Sequence, residues 1–192
     1  MVASKRSKQF EPFDEARIHA LALAYLNRFD ASASSLRSVL LRTVRRSVAR
    51  AEFSEQQQAE QIAAAERHIT ALLERFQASG LVDDARLARH LVGSWRERGL
   101  SALAIQGRLV GKGVSGRVAE AALAELANDP QQHGSELDAA ILFAKRRRLG
   151  CFGPRATDQA TQRRDLARMA RAGFDFDVAV RALNVRVEDD AF

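Results

Sequence analysis

The sequence holds one cysteine, Cys151, only three prolines and only four lysines. A lone thiol excludes an intramolecular disulfide, which fits a reducing compartment, and the cytoplasm is the expected location. Pro12, Pro130 and Pro154 all fall where helix ends or connections are expected. The stretches between them are rich in Ala, Leu, Arg, Glu and Gln and favour helix. No convincing run alternates β-branched residues in the manner of a strand. Aromatic residues are scarce, at 6%, although 46% of the chain is hydrophobic. Alanine supplies much of that apolar content, which fits helices packed closely through small side chains. No segment approaches the roughly 18 apolar residues of a membrane span. The basic start, with Lys5, Arg6 and Lys8, has no apolar stretch behind it and does not read as a signal peptide.

What is present is a pattern met three times. Phe53-Ser54, Val114-Ser115 and Phe174-Asp175 are apolar-then-cap pairs spaced 61 and 60 residues apart. Ser32, Leu36 and Leu40 match Ser101, Ile105 and Leu109 at an offset of 69. The offsets disagree by 8 because Ser32 to Phe53 is 21 residues, whereas Ser101 to Val114 is 13. The first unit therefore carries an insertion between its second and third helices. The predicted fold is all-α: three tandem three-helix units stacked into an elongated, curved helical-repeat array. Such arrays offer long surfaces that suit a polymeric partner better than a small substrate.

The predicted boundaries follow from caps and stripes. Residues 1–13 read as a mobile basic tail. Unit one spans 14–80. Asp14 caps its first helix, whose stripe is Ile18, Leu21, Ala22, Tyr25 and Phe29. Its second helix, from about 35 to 50, turns Leu36, Leu40, Val44 and Val48 inward. Ser54 opens the third with a capping box at Gln57. Unit two spans 81–129, with Leu87, Ala88, Leu91, Val92 and Trp95 on its first helix and Ser101 and Ser115 capping the next two. Residues 128–135 are a breaker-rich linker. Unit three spans 135–185, and 186–192 form a frayed acidic end.

The formal net charge is +6, and the cations other than Lys5, Lys8, Lys112 and Lys145 are arginines. Arginine forks onto phosphates and carboxylates, so an anionic or nucleoprotein partner is expected. At 100° per residue, Arg42, Arg45 and Arg46 lie opposite Leu40. Arg86, Arg89 and Arg96 lie away from Leu91; Arg146 and Arg147 away from Ile141; Arg164, Arg168 and Arg171 away from Leu166. Any one such row is ordinarily a solvated helix face. Recurrence in every unit favours at least one acting as a partner-binding surface. Phe143 projects to the Arg146 and Arg147 side; packing against a neighbouring unit is the preferred reading, an interface anchor the other.

Catalytic constellations are lacking. Asp83 and Asp84 precede a helix start, where aspartate caps free amides and meets the positive dipole end. His19, His68, His90 and His133 are scattered without a second ligand at i+3 or i+4, so no metal site is expected. Arg148 and Arg155 stand near Cys151 and could lower its pKa, but an incidental thiol is the better reading. No GxxxxGK[ST] loop occurs. The expectation is a non-enzyme without cofactor.

Gly80-Leu81-Val82-Asp83-Asp84-Ala85-Arg86-Leu87-Ala88 resembles a signature of the RecX family. Arg98-Gly99-Leu100-Ser101 and Lys112-Gly113-Val114-Ser115 resemble that family's turns, and Phe152-Gly153-Pro154 with Gly173-Phe174 its third-unit markers. The resemblance runs over roughly 14–185, with the motifs in the family's order. Ser35-Leu36 stands where the family has a basic serine turn followed by Glu-Leu, and the insertion is a second departure. The resemblance implies a monomeric regulator that binds the RecA–DNA filament along its groove. It would inhibit ATPase, strand-exchange and co-protease activity, modulating recombinational repair and the SOS response. A stand-alone DNA-binding protein built from helix-turn-helix-like units is the alternative.

Overall fold

The computed structural model describes residues 10–128, 135–153 and 158–184, which hold nine α-helices and no strand. They divide into two compact units, 1–84 and 85–192.

The first unit contains α1 (Glu15–Leu26), α2 (Ala33–Val48) and α3 (Glu55–Ala78). Each starts where a polar side chain takes an orphan amide: Asp14, Ser32 and Ser54 accept from Arg17, Ser35 and Gln57. Ser54 and Gln57 complete the predicted capping box. Leu36, Leu40, Val44 and Val48 fill one face of α2 and meet Ile18 and Ala22 of α1 and Ile69, Leu72 and Phe76 of α3 in one apolar cluster. Two expectations fail here. Phe13 is buried at 5% exposure and Phe10 stacks edge-on against Phe53 at 4.8 Å, so residues 10–13 are part of the packing. Residues 1–9 lie outside the described residues. Phe29 is not in the core stripe: α1 ends at Leu26, and Phe29 stays 55% exposed against Tyr25.

The insertion divides in two. Helix α2 has 16 residues against 10 in its counterpart α5, and the connection after it spans 49–54 rather than 112–115.

The second unit contains α4 (Asp84–Arg96, less its first residue), α5 (Ala102–Gly111), α6 (Gly116–Ala127), α7 (Glu136–Arg147), α8 (Gln159–Arg171) and α9 (Phe176–Leu183). Helices α4–α6 gather Ala88, Val92, Trp95, Ile105, Leu109 and Ala119 into one cluster. Helices α7–α9 gather Ala140, Ala144, Met169, Phe174 and Leu183 into another. Alanine lets these helices approach closely, as the composition suggests. Gly150 is required by its turn: it sits at φ +54°, and a Cβ there would lie 2.5 Å from the Leu183 carbonyl oxygen.

Polar links join the two clusters. Ser101, wholly buried, accepts from Ala104 N–H and donates to the Ala172 carbonyl at 2.6 Å. Glu136 at the start of α7 accepts from Ala102 N–H and binds Arg96. An analogous bond occurs inside the first unit, where Ala33 N–H donates to Asp84 Oδ1 at 2.9 Å. Asp84 therefore serves the N-terminus of α2 as well as standing in the first turn of α4, a role its local sequence does not reveal.

Candidate functional site

The α2 row is exposed. Arg42, Arg45 and Arg46 line one shallow depression of about 530 Å³ with Ser38 and Leu41. Their exposure follows from the α2 stripe, since Leu40, Val44 and Val48 take the opposite face inward. Arg45 leans 3.5 Å from Glu66 across to α3, both side chains open to solvent. A pair so exposed contributes about 0–1 kcal/mol and leaves the guanidinium available.

The α7 and α8 rows meet. Arg147, Arg168 and Arg171 line a single pocket of about 470 Å³ with Phe143, Leu149 and Ala172. The Arg147 guanidinium lies 5.9 Å from the Phe143 ring centroid, one helical turn along α7. Phe143 lies tilted against Phe174, ring centroids 5.5 Å apart, and packs on its own three-helix cluster. Asp165, only 4% exposed, accepts from Gly150 N–H at 2.9 Å and from Arg168 at 3.3 Å. This carboxylate ties the Gly150 backbone after α7 to the Arg168 guanidinium on α8. Sequence reading missed both it and the convergence of the two rows. The Phe143–Arg147 spacing of four was the available signal.

The remaining arginines differ. Arg86 and Arg89 are exposed, and Arg89 lies 3.7 Å from Glu125. Arg146 is exposed and donates to the Arg98 carbonyl at 2.7 Å. Arg164 is exposed and folds back on its own helix, donating to Ala160 and Thr161. Arg96 does not join a surface row. It is 7% exposed and is held by the Glu136 carboxylate and the Leu100 carbonyl. Arg96 points away from the Leu91 stripe, but α4 is covered on this second side as well.

Among the described residues no group of His, Cys, Asp or Glu is placed to hold a metal. The Cys151 thiol is pushed up from its ordinary value by desolvation, against its own backbone hydrogen bond and the Lys145 charge, which both lower it. This direction is opposite to the activation that nearby arginines could give and agrees with an incidental thiol; Arg155 lies outside the described residues. No described helix is long and apolar enough to cross a membrane.

Fold and site together define a class: an all-helical basic protein whose exposed guanidinium clusters suit an anionic surface. The chain is 34% identical over 181 residues to the regulatory protein RecX of Myxococcus xanthus (strain DK1622), covering 94% of this chain and 89% of that one. It is 28% identical over 108 residues to the regulatory protein RecX of Agrobacterium fabrum (strain C58 / ATCC 33970), covering 56% and 54%. The chain belongs to the RecX family. No family model matches it, and no solved structure matches it significantly.

Proposed function

We propose that this protein regulates the RecA recombinase by binding the RecA–DNA filament along its groove and inhibiting ATP hydrolysis, strand exchange and co-protease activity. It acts as a cytoplasmic monomer without catalysis, and so modulates recombinational repair and the SOS response. A tandem of three helix triplets carries several arginine clusters on one chain. The observation that carries this reading is the convergence of Arg147, Arg168 and Arg171 on one aromatic-floored pocket. Guanidinium forks bind carboxylates and phosphates bidentately, and both kinds of group are presented by a nucleoprotein filament. Arg42, Arg45 and Arg46 offer a second cluster, and Arg86, Arg89, Arg146 and Arg164 are further contacts. A regularly repeating partner rewards several weak contacts on one chain through effective concentration. Arg96 is omitted from the contact surface, because its partner is internal.

The test is DNA-dependent ATP hydrolysis by RecA with this protein titrated in. Hydrolysis falls as the protein approaches stoichiometry with RecA; unchanged hydrolysis at that ratio overturns the proposal. The pocket also favours a second reading. An aromatic ring beside arginines is the chemistry with which proteins hold single-stranded nucleic acid. Stand-alone DNA binding would give a mobility shift without RecA that weakens steeply with salt.

A further inference from the structure

A wide groove of the second unit is the chemical opposite of the arginine sites. It lies between α5, α6, α7 and the start of α9 and encloses about 1250 Å³. Leu103, Leu123, Leu126 and Leu142 give it an apolar lining. Glu97, Glu120, Asp138 and Asp175 are exposed around them, and Glu136 is already matched by Arg96. This is a concentration of negative charge on a chain of net charge +6.

Two observations separate this groove from an ordinary acidic surface. First, Asp175 stands at the N-cap of α9 with extended backbone, yet its side chain makes no capping bond. The Ser and Asp N-caps of α1, α2, α3, α5, α6, α7 and α8 all make theirs. The Asp175 carboxylate is thus left to the groove it lines. Second, the two most exposed large hydrophobic side chains among the described residues are Phe176 at 70% and Leu103 at 64%. Phe176 follows Asp175 directly, and Leu103 lines the groove and approaches the Gly173 backbone. Apolar surface rimmed by polar groups marks an interaction site.

We infer that this groove docks a cationic amphipathic helix of a partner protein. The helix would lay its apolar face on the leucines and its lysines or arginines against Glu97, Glu120, Asp138 and Asp175. Charge selects the occupant: nucleic acid and anionic lipid are repelled by the same carboxylates. No strand edge exists among the described residues for an extended peptide to join, whereas helix-in-groove docking needs only spaced apolar anchors and a charged rim.

The test uses the full chain and a fluorescent synthetic helix of about 18 residues, about 27 Å long, with leucine on one face and lysine on the other. A control peptide has the same composition, permuted to destroy the two faces. Anisotropy is expected to report saturable binding of the amphipathic peptide and much weaker binding of the control. Glu97→Lys with Asp175→Lys is expected to lower the affinity about tenfold or more, since like charges oppose docking. Leu103→Glu, at an exposed position, is an independent second variant with the same expected direction. Circular dichroism and melting confirm that each variant is folded. Equal binding of the control, equal binding to the folded variants, or no binding at all overturns the proposal. So does self-association of the free protein that is lost in Asp175→Lys, which would assign the groove to a second copy. Neither RecA nor DNA enters the assay, so its outcome is independent of the filament titration.

Discussion

Individual side chains in this protein take their roles from partners remote in sequence. Arg96 and Arg147 look alike in a row of arginines, yet one is fixed inside the second unit by Glu136 and the other lines an open pocket. Nothing within a turn of Arg96 marks it, because Glu136 lies 40 residues downstream. Exposure of the other predicted arginines was legible, because the apolar stripes beside them fix which way they face. Asp158 is a residue whose contribution titrates. The Thr161 backbone amide, then the Thr161 side chain and Arg164, hold its carboxyl below its ordinary value. A carboxylate with a lowered folded-state pKa stabilises fully above its unfolded value, near 4, and the effect is lost as pH falls through the folded value. The Thr161 amide resonance is therefore expected to keep its capped position down to about pH 4 and to move below it. A shift already complete at pH 5 would contradict this cap.

Elements were the most readable level. The N-caps at Asp14, Ser54, Ser101 and Ser115 and the capping box at Ser54 follow from single polar residues placed before apolar periodicity, whereas the expected cap Asp175 makes no capping bond. The mismatch of 8 between repeat offsets resolves into a longer α2 and a longer connection, both invisible until the helix ends are placed. Less readable were bonds that tie one element to another. The position of Asp84 before a helix predicts a local cap, yet its carboxylate accepts from the Ala33 N–H, 51 residues away. Glu136 occupies a comparable position against Ala102 and also neutralises Arg96. Replacing one member of a buried pair leaves the other charge without compensation, at a cost of about 3–5 kcal/mol. Glu136→Ala is accordingly expected to lower the denaturant midpoint of the second unit markedly. A similar loss of stability is not expected for Glu66→Ala, because its Arg45 pair is solvent-exposed. Equal effects of the two substitutions would contradict the assignment of Glu136 to the packing between the clusters.

For the molecule as a whole, composition indicated the class and geometry supplied the sites. Few prolines, much alanine and many arginines predicted helices with small contacts and basic faces, and the described residues are helical with apolar side chains gathered in three clusters. The individual cations were legible; the meeting of α7 and α8 was not, because it depends on the turn through Gly150 that Asp165 and Leu183 fix. Membership of the RecX family gives those cations a proposed partner, and the pocket of Arg147, Arg168 and Arg171 gives them a proposed point of contact. The most direct measurement is binding of the folded Arg147→Glu, Arg168→Glu, Arg171→Glu variant to RecA filaments on single-stranded DNA, beside the unaltered protein. The account predicts affinity lower by about a hundredfold, as expected when several paired charges are reversed at one interface. Unchanged affinity in a variant of unchanged helicity would contradict it.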